Sequence, residues 1–88
     1  MEINIDSLMR NSFGVLTNRC SIDDILDNYS GMDAMFYGNP LDITVDDLDE
    51  VIFYFENTEE YENCQELLYV KNDKIAETLT KKLMRNAL

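Results

Sequence analysis

The most regular pattern of apolar and polar residues lies between Thr44 and Asn57. Apolar residues recur there with the spacing of one helix face: Val45, Leu48, Val51, Ile52 and Phe55. Thr44 can cap the first amides of such a helix, and Asp46 and Asp47 place negative charge where the helix dipole favours it. The pattern predicts a helix at about 45–57.

A second periodic pattern follows a short polar link, Asn57-Thr58-Glu59. Its apolar residues recur at three-, four- and seven-residue intervals: Tyr61, Cys64, Leu68, Ile75, Leu79 and Leu83. One helix at about 59–86 accounts for this pattern, although the helix can instead break at Lys71-Asn72-Asp73, with Asp73 capping a separate last helix. A link this short makes the two helices neighbours, so we predict an antiparallel helical hairpin.

A shorter helix is predicted after Ser21, which can act as its N-cap. Asp23 and Asp24 fall in its first turn, and Gly31 is a natural C-terminal stop. Its apolar residues share one face: Ile22, Ile25, Leu26 and Tyr29. The following residues up to Pro40 predict a helical turn and then a loop, because an Asn-Pro pair disfavours continuing a helix.

The N-terminal residues fit two patterns. Ile3 and Ile5 alternate as in a strand, whereas a helix capped near Asp6 aligns a longer apolar set: Ile5, Leu8, Met9, Phe13 and Leu16. Gly14 weakens that helix by roughly 1 kcal/mol relative to alanine, yet we favour it. The prediction is one all-α domain over residues 1–88, a small bundle of four to five helices. An α+β fold with a short N-terminal strand is the alternative.

Charge changes this picture. The chain of 88 residues has a net charge of −11, and its segment between Cys20 and Lys71 contains fourteen carboxylates and no lysine, arginine or histidine. The last residues, 67–88, are basic, with five bases against two acids. The basic end can fold back onto the acidic segment, which we favour, or pair with the acidic segment of another copy.

Several classes of function are disfavoured by composition. Histidine, the commonest general base and metal ligand, does not occur, and the three glycines form no phosphate-binding motif. Cys20 and Cys64 are too few for a structural zinc site and are expected to be reduced thiols. We therefore expect no enzyme activity, cofactor or metal. The sequence MEINIDSLMR lacks the basic start and apolar run of a signal peptide, and no apolar stretch is long enough to span a membrane, so we expect a cytoplasmic protein.

The helix at 45–57 also suggests a binding surface. At about 100° per residue, Phe53 falls nearly opposite the apolar face, among carboxylates and beside Tyr54. An aromatic residue encircled by acids suits a basic protein partner that has an apolar pocket. A covering segment or second copy is the alternative explanation of Phe53. The candidate contact residues extend into the next helix: Asp46, Asp49, Glu50, Phe53, Tyr54, Glu56, Glu59, Glu60 and Glu62.

Three interpretations of the acidic segment remain open. It can be a solvated surface, a mimic of nucleic acid, or a surface that steers the protein to a basic regulator. Mimicry is physically reasonable because duplex DNA carries one charge per roughly 1.7 Å, a density that packed acidic helices can approach. Direct binding to nucleic acid is disfavoured by the same charge.

Two resemblances bear on these interpretations. The stretch 60–67, EYENCQEL, resembles the second helix of UVR-type helical hairpins, in which an aromatic residue and an acid precede two small residues and a leucine; Gln65 stands at the second small position. This resemblance implies a helical hairpin. The size, acidity and Asn-, Ile-, Asp- and Tyr-rich composition resemble small accessory proteins of AT-rich phages. That group includes anti-CRISPR and anti-restriction inhibitors, many of which are acidic mimics of nucleic acid.

We therefore expect a small acidic protein of a phage or mobile element. It would inhibit or regulate a basic, nucleic-acid-binding host protein by nucleic-acid mimicry. One alternative is an interaction module that binds a basic surface of the transcription machinery through exposed aromatic residues. Another is a homo-oligomer with a structural or ligand-sequestering role.

Overall fold

The computed structural model describes residues 4–86, with the side chains of residues 32, 33, 85 and 86 outside the description. Its regular elements are all helical: α1 spans Ile5–Leu16, α2 Ile22–Asn28, α3 Val45–Asn57 and α4 Tyr61–Asn86, with a 3₁₀ turn at Gly31–Ala34. The described residues contain no strand, so the predicted small all-α fold is confirmed. Ile5 lies in α1, whereas Ile3 is outside the described residues.

The predicted N-caps of α2 and α3 are present. The Ser21 hydroxyl accepts from the Asp24 amide at 3.0 Å, while the Asp24 carboxylate accepts from the Ser21 amide, which completes a capping box. Thr44 accepts from the Asp47 amide at 3.1 Å. The prediction for α1 was wrong by two residues, because Asn4 caps this helix and Asp6 lies in its first turn.

The turns after α1 and α3 share one backbone arrangement. At the end of α3, the amides of Glu59 and Glu60 donate to the carbonyls of Glu56 and Phe55, and Glu59 adopts a φ of 59°. At the end of α1, Asn18 takes the same left-handed conformation, with a φ of 61°. Both turns are Schellman motifs, in which glycine is the usual residue at that position.

The core lies among α1, α3 and α4. Its buried residues are Met9, Phe13, Ile43, Leu48, Val51, Ile52, Phe55, Cys64 and Leu67. The rings of Phe13 and Phe55 are 5.4 Å apart and tilted, an arrangement that aromatic pairs favour. The predicted buried face of α3 is confirmed for its four central residues, while Val45 is half-buried.

Buried polar groups of α1 hold the loop between α2 and α3. The Asn11 amide donates to the Met35 carbonyl at 3.0 Å, and the Ser12 hydroxyl accepts from the Tyr37 amide at 2.7 Å. Gly14 is also buried, and a Cβ there would lie 2.8 Å from the Cys20 sulfur. The glycine that weakened the helix prediction therefore allows the next segment to approach α1 closely.

The structure refines the prediction for α4 and corrects that for α2. α4 is one continuous helix over Tyr61–Asn86, close to the predicted range of about 59–86, and the alternative break at residues 71–73 does not occur. Its predicted apolar residues are exposed apart from Cys64, because Leu67 rather than Leu68 enters the core. In α2 only Ile25 is buried, so its predicted apolar face is largely uncovered, with Leu26 and Tyr29 exposed. Gly31 opens the 3₁₀ turn instead of ending α2, which stops at Asn28.

Contacts join α3 to α4 along both helices. The Cys64 thiol lies 3.5 Å from the Ile52 carbonyl, and Lys71 forms an ion pair with Asp49 at 2.7 Å. Both thiols are free, and burial raises the pKa of Cys64. Within the described residues, no helix is both long enough and apolar enough to cross a membrane.

Candidate functional site

The outward side of α3 presents an aromatic side chain among acids. We call this surface the acidic face and define it as Asp46, Asp49, Glu50, Phe53 and Glu56, all of which are exposed. The opposite side of α3 is buried in the core through Leu48, Val51 and Phe55, so the acidic face points outward. At about 100° per residue, the four acids surround Phe53 on the helix surface.

Phe53 is the central feature of the acidic face. Its side chain is 58% exposed, whereas Phe55, two residues later, is 0% exposed. A fully buried and a largely exposed phenylalanine on one helix show that α3 has two distinct surfaces. Single exposed apolar residues are common, so the ring of charge is what marks Phe53 as a candidate anchor.

Asp49 occupies the edge of the acidic face that adjoins α4. Its carboxylate is paired with Lys71, while Asp46, Glu50 and Glu56 form no ion pair with another described residue. The predicted neutralisation by the basic end is therefore local. Lys71 reaches Asp49 and Lys74 reaches Asp42 at 3.4 Å, which leaves the centre of the acidic face uncompensated.

Two predicted contact residues form hydrogen bonds with other residues of the chain. The Tyr54 hydroxyl donates to Asp6, and Tyr54 is half-buried against Phe55 with ring centroids 5.2 Å apart. Both carboxylate oxygens of Glu60 accept from Arg10, at 2.8 and 2.9 Å. These side chains tie α1 to the turn between α3 and α4. Because they are already bonded to residues of the chain, we do not count them as members of the acidic face.

Arg10 links these internal contacts. It pairs with Asp6 at 2.9 Å, and its guanidinium lies 5.6 Å from the centroid of the Phe55 ring. The pKa of Asp6 is lowered, first by the Tyr54 hydroxyl and then by Arg10, and the pKa of Glu60 is lowered by Arg10 and Thr58. Hydrogen bonding to Asp6 raises the pKa of Tyr54, while Glu60 and Asp6 raise that of Arg10.

The remaining predicted contact residues lie beyond α3. Glu59 is exposed in the left-handed turn, and Glu62 is exposed in the first turn of α4. Four of the predicted acids thus surround Phe53, and two more lie past the end of α3. Tyr54 and Glu60 instead form hydrogen bonds with α1.

Sequence reasoning missed Asp6 and Arg10 as partners of the predicted residues. The only local signal is their spacing of four residues, which places the two charges on one helix face. Nothing in that spacing indicates Glu60, which is fifty residues further along the chain.

The outward surfaces described above consist of carboxylates and an exposed phenylalanine ring. Among the side chains that the structure describes, no group of three or more Cys, Asp or Glu is placed to hold a metal ion. One open depression on the described surface lies between the end of α1 and the start of α2, beside Leu41. Comparisons with protein-family models, curated proteins and solved structures find no match to this chain.

Proposed function

We propose that the protein is a small, non-enzymatic inhibitor or regulator that binds a basic, nucleic-acid-binding protein through its acidic face. The observation that carries this proposal is the 58% exposed Phe53 at the centre of exposed carboxylates. The phenylalanine would enter an apolar pocket, and the surrounding acids would meet lysines and arginines that otherwise contact phosphates. The bound protein would then be unable to hold nucleic acid.

The charge distribution supports this class of partner. A surface without countercharge destabilises its own fold, and a basic partner relieves that cost on binding. Direct nucleic-acid binding is disfavoured, since the phosphates would face the same carboxylates. We also propose that α3 and α4 form an antiparallel hairpin, which gives the acidic face a rigid base. The pairing of residues 52 with 64 and 49 with 71 supports this arrangement.

The biological setting follows as part of the same proposal. A cytoplasmic protein of a phage or mobile element, acting on a host protein, fits the small size, the acidity and the resemblance described above. The second candidate is an interaction module for a basic surface of the transcription machinery. The exposure of Phe53 favours this candidate as well, whereas Tyr54, with its hydroxyl bonded to Asp6, offers it little.

One pull-down with charge variants tests the proposal. The tagged protein would be incubated with nuclease-treated bacterial lysate, eluted with a salt gradient, and its partner identified by mass spectrometry. The double variant Asp46→Lys, Glu50→Lys should lose the partner. The matched control, Asp23→Lys with Asp27→Lys on the exposed side of α2, changes the charge equally and should retain it.

Phe53→Ala separates the two candidates. Mimicry predicts that the retained protein is displaced by DNA or RNA and that charge reversal weakens binding more than Phe53→Ala does. The interaction module predicts the opposite order and binding that survives moderate salt. Retention of the partner by Asp46→Lys, Glu50→Lys would refute the acidic face as the binding surface.

A further inference from the structure

One basic side chain of α4 reaches the acidic face. The Lys71 ammonium lies 2.7 Å from a carboxylate oxygen of Asp49. Asp49 follows Asp46 by three residues and precedes Phe53 by four, so both are its neighbours on the helix surface, with Cβ atoms about 5–6 Å apart. The positive charge of Lys71 therefore lies within about one Debye length of the centre of the acidic face at 0.1 M salt, roughly 10 Å.

The Lys71 side chain is held in this position by the fold. It is only 26% exposed, whereas the side chain of Asp49 is 49% exposed. A lysine whose stem is covered has already lost rotamer freedom on folding. A lysine or arginine of a partner would have to lose that freedom on binding before it could replace Lys71. Asp49 is thus less available to a partner than the other three acids of the acidic face, which form no ion pair with another described residue.

A second lysine of α4 provides an internal comparison. Lys74, about one helical turn after Lys71, is 27% exposed and pairs with Asp42 at 3.4 Å. Asp42 lies in the loop before α3, outside the acidic face. Both ion pairs fasten α4 to the preceding part of the chain. The neutralisation of a carboxylate beside Phe53 distinguishes Lys71 from Lys74.

We infer that Lys71 is an internal competitor that limits the binding of basic groups to the acidic face. It occupies Asp49 and repels cations that approach Phe53. The inference rests on the proposed function, because it concerns the affinity of the same surface. It adds that the acidic face binds less tightly than its four acids allow, and that removal of this one lysine strengthens binding. A lysine that instead helped to build the binding surface would weaken binding when removed.

Fluorescence titration with a hexa-arginine peptide tests this inference. The chain has no tryptophan, so a tryptophan introduced by Phe53→Trp reports binding at the acidic face alone. In this background Lys71→Met, which retains the covered stem, should tighten peptide binding by about two- to fivefold, the size of one exposed charge pair. Lys74→Met is the matched control. It should change binding by less than about 1.5-fold, because salt screens its charge at the greater distance from Phe53.

Double variants identify the source of the gain. Adding Asp49→Asn to Lys71→Met should abolish the gain, because the released carboxylate is then absent, whereas Asp42→Asn added to Lys71→Met should preserve it. Circular dichroism checks that each variant is folded. Lys71→Gln, which replaces the charge with a polar group, should act like Lys71→Met if the lost charge is the cause.

The outcomes separate this inference from the proposed function. Equal gains from Lys71→Met and Lys74→Met, or no gain from Lys71→Met, would overturn the inference and leave the acidic face as a binding surface. A gain that survives Asp49→Asn would also overturn it. If the peptide changes the fluorescence of none of the variants, cations do not bind beside position 53, and the proposed function fails together with the inference.

Discussion

At the scale of single residues, the most unusual backbone position that carries charge is Glu59. It is held at a φ of 59° in the turn between α3 and α4, where a Cβ is unfavourable and glycine is preferred. Glu59→Gly should therefore raise the free energy of unfolding by about 0.5–1 kcal/mol, after allowing for the greater freedom of glycine in the unfolded chain. Urea unfolding followed by circular dichroism measures this change.

A second variant separates backbone strain from charge at this position. Glu59→Gln removes the same negative charge but retains the Cβ, so it should stabilise the protein less than Glu59→Gly. Asn18→Gly, in the equivalent turn after α1, should also give a smaller gain because asparagine tolerates the left-handed conformation. Equal effects of the two Glu59 variants would show that repulsion between carboxylates, and not the backbone, dominates.

Individual residues differ in how far their roles could be predicted. Phe53 could be placed on the outer surface from the sequence, because its position depends only on the periodicity of one helix. Tyr54 and Glu60 could not, since their partners Asp6 and Arg10 come from a distant helix. Tyr54 was grouped with the acidic face because it is an aromatic residue beside Phe53, and Glu60 because it is an acid.

At the scale of elements, α1 and the turn that follows it are attached to the rest of the bundle by charged contacts. Arg10 binds Glu60 near the start of α4, and Arg19 pairs with Glu66 at 2.7 Å while lying 4.8 Å from the Phe13 ring. These are the only arginines in the first seventy residues. The few bases available to the chain are thus used to hold its helices together.

The pairing of Arg10 predicts how stability depends on pH. The pKa values of Asp6 and Glu60 are lower in the folded chain than their ordinary values of 3.8 and 4.5. The contribution of these pairs is therefore complete above pH 4.5 and is lost as the pH falls below these values. Urea midpoints measured at pH 7 and at steps down to pH 3 should fall less steeply for Glu60→Gln than for the wild type.

Glu62→Gln provides the control for this measurement. Glu62 is exposed two residues after Glu60 and forms no ion pair with another described residue. Its replacement should leave the steepness of the acid loss unchanged. Identical pH profiles for the wild type and Glu60→Gln would contradict the assigned role of the Arg10–Glu60 pair.

The elements also show where periodicity is sufficient and where it is not. α3 was predicted with its bounds and its buried side, because a single apolar face runs along it and polar residues flank it at both ends. α4 was predicted as a helix, but of the apolar residues that defined its periodicity only Cys64 is buried, while Leu67 from a second apolar side enters the core. Leu67 and Leu68 are adjacent, and only the packing of α1 and α3 decides which one is covered.

At the scale of the whole molecule, a net charge of −11 on 88 residues acts against the compact state. Salt screens this repulsion, with a Debye length of about 10 Å at 0.1 M. Adding sodium chloride should therefore raise the thermal midpoint, by about 4–8 °C for each kcal/mol of relief. Differential scanning calorimetry at increasing salt measures this shift.

Neutral variants test the origin of that salt effect. Asp23→Asn with Asp27→Asn removes two exposed charges from α2, so the thermal midpoint of this variant should depend less on salt. A midpoint that falls with added salt would mean that the ion pairs of Arg10 and Arg19 outweigh the general repulsion. Repulsion among the carboxylates would then not be the dominant electrostatic contribution to the stability of the protein.

The central claim is that the acidic face around Phe53 takes the place of nucleic acid on a basic protein. The most direct test is a competition measurement with the recovered partner and a fluorescent DNA or RNA, followed by anisotropy. The wild type should displace the nucleic acid, with a potency that falls as salt rises, while Asp46→Lys, Glu50→Lys should not displace it. A partner that binds both the wild type and nucleic acid at the same time would contradict mimicry.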